Sequence, residues 1–131
     1  MDIKPCGSVP MEPVPAENFT GEVFRDPIVE APAPALWHAT LVAFSPGART
    51  NWHTPRLGQT LYVTQGCGLI QLRDGPIQVI RTGDVVRIPA GKEHWHGAAP
   101  TTGMSHIAMQ AELNGRATDW LEPVTDKQYL G

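Results

Sequence analysis

The chain has 131 residues, enough for one domain with a single core, and its formal net charge is -3. The ten lysines and arginines are scattered without a basic run, so neither nucleic acid nor an anionic membrane is an expected partner. No apolar stretch approaches the roughly 20 residues that span a bilayer, and the first residues, MDIKPCGSVP, do not resemble a signal peptide. The sequence therefore predicts a cytoplasmic protein of bacterial type, with Cys6 and Cys67 as free thiols.

Thirteen glycines and thirteen prolines, 26 of 131 residues, make up about 20% of the chain, against an average of about 12% in proteins. This composition favours short strands joined by turns over helices. Residues 1–35 hold many of the prolines and offer one short strand, around Glu22–Phe24. They are interpreted as an N-terminal arm of the same domain, followed by a barrel in residues 36–131.

Alternating patterns then predict successive strands in chain order. The segment LWHATLVAF places four side chains on one face, namely His38, Thr40, Val42 and Phe44. The segment QTLYVTQG does the same for Gln59, Leu61 and Val63. The segments GLIQLR and IQVIR flank the turn Asp74-Gly75-Pro76 and predict a hairpin.

Three further segments, GDVVRIPAG, HWHGAA and MSHIAMQAEL, continue the series of strands, and an inward His106 brings Ala108 and Gln110 inward with it. The opposite face is apolar and is expected to pack on a second sheet or another subunit, through Trp52, Trp95, Ile107 and Met109. Only ATDWLEPVTDKQYLG has helical character, with Thr118 as the expected N-cap. The fold expected from this pattern is all-β: a small antiparallel barrel or jelly roll with a short C-terminal helix.

Histidines are the residues best suited to chemistry. Phosphate loops, nucleophile elbows and paired helical carboxylates are absent from the sequence. Besides His38 on the first barrel strand, four histidines fall within or beside three later predicted strands: His53, His94 with His96, and His106. Any one of them alone is more often a hydrogen-bonded structural residue, but the placement of the four favours a shared site.

Two gapped motifs resemble those of the cupin family. The first cupin motif, Gly-x5-His-x-His-x3-4-Glu-x6-Gly, is matched at Gly47, His53 and Gly66, with Gln59 in place of the glutamate. The second, Gly-x5-Pro-x-Gly-x2-His-x3-Asn, is matched at Gly83, Pro89, Gly91 and His94, with Ala98 in place of the asparagine. The resemblance implies a cupin fold, a double-stranded β-helix or jelly-roll barrel.

The chain is similar in more detail to the small, manganese-dependent cupin hydroxynitrile lyases of bacteria. The similarity covers LGQTL, GCG, GDVV, HWHGAAPTT and the tail from Asp119. It implies metal ligands at His53, position 55, Gln59 and His94. Position 55 is normally histidine in that group, and here it is Pro55, which departs from the pattern.

Replacing that histidine leaves two imidazoles and one neutral amide, a set that binds a divalent ion weakly. His96 lies two residues from His94, faces the same side of a regular strand, and could substitute. Manganese is the metal implied by the resemblance. Iron, nickel, zinc or an empty site are the alternatives.

The leading hypothesis is a carbon–carbon lyase that splits a cyanohydrin into an aldehyde and cyanide, or runs the reverse reaction. His106 is the expected general base, because a neutral imidazole titrates near operating pH and this one lies on the barrel lining. Gln110 and Thr40 would orient the substrate, and Val42 would set the shape of the pocket. The alternatives are a metal-dependent dioxygenase or isomerase, or a metal-poor cupin that binds a small ligand. A homo-oligomer, dimer or tetramer, is expected from the apolar outer face.

Overall fold

The computed structural model describes residues 1–131 as twelve strands and one short α-helix, with a single 3-10 turn at Ala16–Asn18. No helix is long and apolar enough to cross a membrane. The elements, in chain order, are β1 (Glu12–Pro13), β2 (Phe19–Thr20), β3 (Val23–Glu30), β4 (Trp37–Phe44), β5 (Arg49–Thr50), β6 (His53–Pro55), β7 (Gln59–Leu72), β8 (Gln78–Arg81), β9 (Val85–Ile88), β10 (His94–Ala98), β11 (Met104–Ala111), β12 (Thr118–Trp120) and α1 (Asp126–Leu130).

The strands form a curled sheet with two walls. One wall runs β1-β3-β4-β11-β7-β9, the other runs β8-β7-β10-β5-β2, and β6 lies between β10 and β12. Strand β7 belongs to both walls because it is 14 residues long and continues through Gly66. Gly66 has φ +81°, and a Cβ there would collide with the Gly103 carbonyl, so only glycine fits this crossing point. The predicted all-β jelly-roll barrel is confirmed.

The core fills the space between the walls, where inward residues of the alternating strands meet. Leu61 and Val63 are fully buried on β7, as the alternation predicts, and Phe44 and Met104 pack with them. The predicted hairpin after β7 is also present, since Gly68 pairs with Ile80.

The N-terminal arm contributes more strand than its prolines suggest. Instead of one short strand near Glu22–Phe24, β3 runs from Val23 to Glu30 and pairs with β4 along its length. Proline lacks an N–H for the ladder, and the register shifts between Pro27 and Val29, so an irregularity next to Pro27 allows the strand to continue.

The tail differs from the prediction in where its helix begins. Thr118 is not an N-cap: it starts β12, which pairs with β6 from Thr118 opposite Pro55 to Trp120 opposite His53. The short C-terminal helix is present but begins at Asp126, capped by Thr125, whose side chain accepts from the Gln128 backbone N–H. Pairing with a strand distant in sequence overrides the local helical pattern.

Trp52 and Trp95 pack within the chain rather than on a second subunit. Both are buried, and with Val124 and Tyr129 they form a second, smaller core beneath α1. The Tyr129 hydroxyl donates to the Ala98 carbonyl of β10. Helix α1 therefore supports the strand that carries His94 and His96 from behind.

We predict that Tyr129→Ala lowers the free energy of unfolding by about 3 kcal/mol, because it opens a cavity and removes a buried hydrogen bond. Leu130→Ala is the matched control, since Leu130 is 72% exposed and should change stability by less than about 0.5 kcal/mol. Denaturant unfolding of both variants measures the difference. Equal effects would show that α1 does not support the barrel.

The outer face of the sheet carries exposed apolar side chains, among them Leu72, Val79 and Val85, which line one groove. Such a face favours self-association. We predict a dimer or tetramer at micromolar concentration by light scattering, and a smaller species for Val79→Asp combined with Val85→Asp. A monomeric parent protein would contradict this prediction.

A candidate metal centre inside the barrel

A cavity of about 420 Å³ lies between the two walls, within the size range of small-molecule sites. Strand β4 lines it with Thr40 and Val42, and the N-terminal arm contributes lining residues such as Val14 and Phe19. The polar residues that the sequence singled out lie on its wall, namely His53, Gln59, His96, His106 and Gln110. His94 is fully buried and is not part of this wall.

His53 and His94 are brought together by the pairing of β6 with β10, in which the two residues are direct partners. Their ring centroids are 4.1 Å apart. His53 Nδ1 lies 2.8 Å from the Asn51 carbonyl oxygen, and His94 Nδ1 lies 3.1 Å from that of Lys92. A carbonyl only accepts, so His53 carries its proton on Nδ1 and keeps its lone pair on Nε2. His94 has an oxygen acceptor at each nitrogen, the Lys92 carbonyl at 3.1 Å and Gln59 Oε1 at 3.3 Å, and the shorter contact favours a proton on Nδ1.

His96 and His106 form a second pair on the wall of the cavity. His106 Nε2 lies 3.0 Å from His96 Nδ1, so one of these two nitrogens donates to the other. The remaining nitrogens, His96 Nε2 and His106 Nδ1, are buried and have no hydrogen-bond partner. Unpartnered buried polar atoms are uncommon in folded proteins and often mark a functional site.

The amide of Gln59 lies beside the first pair. Its Nε2 donates to Gln110 Oε1 at 3.4 Å, and Gln110 Oε1 also accepts from the Thr118 hydroxyl at 3.2 Å. This orientation turns Gln59 Oε1 toward His94 Nε2, 3.3 Å away. Two lone pairs then face each other, an arrangement that a cation bound to both would stabilise.

Burial keeps these imidazoles neutral. It lowers the pKa of His53 to about 3, with the neighbouring His94 adding to the effect, and lowers the pKa of His94 and of His106 to about 4. The pKa of His96 is also well below its usual range, first because of burial and then because of the other three histidines. Neutral imidazole is the form that ligates metals, so the cluster suits a cation at neutral pH.

Three of the histidines can hold a metal ion together. One ring nitrogen from each of His53, His94 and His96 lies within 4.8 Å of the other two, and all three residues are buried. Pro55 is buried two residues after His53 on the same strand, and its side chain provides no donor atom.

Most of this lining follows from strand alternation, but three parts of it do not. The segment 115–120, which the sequence predicted to be helical from Ala117, lines the cavity through residues such as Thr118 and Trp120. The arm residues line the cavity from a segment with no site motif, and Thr50 lines it from β5, where its hydroxyl accepts from the His96 backbone N–H at 3.2 Å. The only local signal for Thr50 is its place within the first gapped motif.

Comparisons with known proteins agree with this architecture. The family model described as "Cupin domain" matches residues 40–108. The chain is 54% identical to the (R)-mandelonitrile lyase of Granulicella tundricola over 98% of both proteins. It is 37% identical to a cupin-like protein from Thermotoga maritima, covering 98% of this chain and 95% of that one with a TM-score of 0.85.

A more distant structure, a polyketide cyclase from Streptomyces resistomycificus, shares the fold at 19% identity and a TM-score of 0.77, covering 98% of this chain and 90% of that one. The shared barrel, the two motifs and the identity over nearly the full length all indicate the same family. The chain belongs to the cupin family and is similar within it to a bacterial hydroxynitrile lyase.

Proposed function

We propose that the protein is a metal-dependent hydroxynitrile lyase that cleaves a cyanohydrin to an aldehyde and hydrogen cyanide, or forms one. The observation that carries the proposal is the 54% identity to a mandelonitrile lyase along 98% of the chain. The buried cluster of neutral imidazoles beside a cavity of small-molecule size supports it.

His53, Gln59 and His94 would hold the metal. The facing lone pairs of Gln59 Oε1 and His94 Nε2 fit a cation, and so does His53, whose Nδ1 proton is held by a backbone carbonyl. A bound ion supplies Lewis acidity toward the hydroxyl or nitrile group. Manganese is the metal we propose, with iron, nickel and zinc as alternatives for this nitrogen and oxygen set.

His106 is the proposed general base. Burial lowers the pKa of His106 to about 4, so it does not titrate near operating pH as the sequence suggested, but its ring is neutral at pH 7 and has a lone pair to offer. When Nε2 carries the ring proton and donates to His96, the lone pair is on Nδ1, which has no partner in the protein. Nδ1 is then the atom that accepts the hydroxyl proton.

The cleavage reaction needs no oxidant, reductant or other reactant besides the cyanohydrin. The hydroxyl proton passes to His106, the oxygen electrons form the aldehyde carbonyl, and the carbon–cyanide bond breaks with its electron pair leaving on cyanide. Protonated His106 then donates the proton to the cyanide ion, which leaves as hydrogen cyanide. Gln110 and Thr40 orient the substrate by hydrogen bonds from the lining, and Val42 limits the room beside them.

A cupin barrel supports other chemistries, and a dioxygenase, an isomerase or a metal-poor binding protein are the competing functions. Pro55 is the observation that favours the binding protein, since it removes a ligand that the lyases have. The proposed enzyme acts on a small molecule in the cytoplasm.

We predict that the purified protein, supplied with Mn²⁺, cleaves mandelonitrile and loses this activity after chelation. His106→Ala with saturating Mn²⁺ should lower kcat about 100-fold or more, because the proton acceptor is gone. Benzaldehyde formation measured by absorbance tests both expectations. A fully active His106→Ala variant would exclude His106 as the base, and no cleavage with bound metal would favour one of the competing functions.

We also predict that His94→Ala abolishes metal binding while the barrel stays folded, because the change removes a ligand and leaves most of the core intact. His38→Ala is the matched control. His38 lies at the cavity wall and pairs with Glu112 at 3.4 Å, and its side chain forms no hydrogen bond with the proposed ligands. Metal content by mass spectrometry and circular dichroism measure the two effects. A His94→Ala variant with unchanged metal content would remove His94 from the ligand set.

A further inference from the structure

Pro55 leaves the proposed ligand set short by one nitrogen. The side chain of Pro55 lies on β6, on the same side as His53, and is buried. Proline presents only carbon atoms there, and its fixed backbone gives it no alternative polar group to turn inward. A metal held by His53, Gln59 and His94 would therefore need another donor or a water molecule.

His96 matches the other two imidazoles in how its ring is held. His53, His94 and His96 each have Nδ1 within hydrogen-bond distance of a polar atom, at 2.8, 3.1 and 3.0 Å. Metal-bound histidines are usually fixed in this way, by a hydrogen bond from the nitrogen that does not bind the ion. For His53 and His94 the partner is a backbone carbonyl, and for His96 it is His106 Nε2.

The other nitrogen of the His96 ring, Nε2, has no hydrogen-bond partner in the protein and could bind a metal ion. His96 Nε2 is buried and unpartnered, in a residue that is only 3% exposed. The ligand atoms of the three histidines lie within 4.8 Å of one another. Two nitrogens bound to one ion at about 2.1 Å each can be at most about 4.2 Å apart, so a pair near the 4.8 Å limit would have to close by about 0.6 Å or more on binding.

We propose that His96 binds the metal through Nε2 and supplies the ligand that is absent at position 55. The inference rests on the metal site of the proposed lyase and names a ligand specific to this chain. The resulting set is three imidazoles, from His53, His94 and His96, with the amide oxygen of Gln59.

This ligation constrains His106. If His96 Nε2 binds the ion, the His96 proton is on Nδ1 and is donated to His106 Nε2. A neutral His106 then has its own proton on Nδ1, and its single lone pair accepts the hydrogen bond from His96. The base described above needs the opposite direction of that hydrogen bond. Metal binding by His96 and proton abstraction by His106 thus exclude each other in any one molecule, since they need opposite directions of the same hydrogen bond. We therefore expect the parent protein to cleave the cyanohydrin only in the fraction of molecules in which His96 is not bound to the ion.

A double-mutant cycle on metal affinity tests the ligand directly. Mn²⁺ dissociation constants are measured for the parent, His96→Ala, Pro55→His and the double variant. In the parent background His96→Ala should weaken binding about tenfold or more. In the Pro55→His background the loss should be less than about threefold, because the histidine introduced at position 55 takes over.

A spectroscopic readout separates ligation from folding. In the parent protein loaded with Zn²⁺, a diamagnetic probe, the nitrogen resonance of His96 Nε2 should shift on binding, and His96 should be protonated at Nδ1. His38→Ala should leave the zinc affinity and these shifts unchanged. The melting temperature of each metal-free variant shows whether an affinity loss reflects unfolding.

Activity supplies the final comparison. The fold-increase in kcat for mandelonitrile that Pro55→His causes should exceed its fold-increase in metal affinity. The reason is that His96 no longer has to bind the metal, so His106 can donate to His96 and act as the base. Equal affinity losses for His96→Ala in both backgrounds, no loss in the parent, or no Mn²⁺ and Zn²⁺ binding by the parent would overturn the inference. The expected affinity coupling without any cyanohydrin cleavage would instead refute the lyase and leave the inference standing.

Discussion

The antiparallel pairing of β6 with β10 is the constraint on which the site depends. It makes His53 and His94 direct partners across the ladder, and β12 on the other side of β6 fixes the strand in place. Because successive side chains on β10 alternate, His96 faces the same interior as His94. Helix α1 and the second, smaller core around Trp95 support β10 from the side opposite these histidines. The positions of these histidines therefore follow from strand register, and they do not depend on a flexible loop.

The chemistry of this site is determined by buried imidazoles that carry no charge. Four histidines are buried together and their imidazoles are held neutral by desolvation. Three carboxylates also line the cavity, those of Glu12, Glu30 and Glu112, but none of them forms a hydrogen bond with these four rings. Neutral ligands leave the full charge of a bound divalent ion available to polarise a substrate, but they hold that ion less firmly than carboxylates do. An additional imidazole would therefore affect affinity strongly in a set of this kind.

Strand alternation was sufficient to predict the fold and the inward residues of the central strands. It correctly placed Thr40, Val42, His106 and Gln110 around one cavity, because each belongs to a regular strand with a buried face. The tail and the arm were predicted less well, because β12 and β3 form by pairing with strands far away in sequence. The direction of the hydrogen bond between His96 and His106 depends on their spacing in three dimensions, which sequence patterns do not encode.

The N-terminal arm forms part of the cavity lining, where Glu12 pairs with Arg25 at 3.0 Å and the rings of Phe19 and Trp120 pack with centroids 5.4 Å apart. These arm residues line the cavity from a different part of the chain than the imidazoles. The two parts are nevertheless coupled, because Trp120 also contacts His53, with ring centroids 4.8 Å apart, and Phe19 pairs with Thr50 of β5. A substitution in the arm is therefore expected to change the shape of the cavity and the support of His53 together.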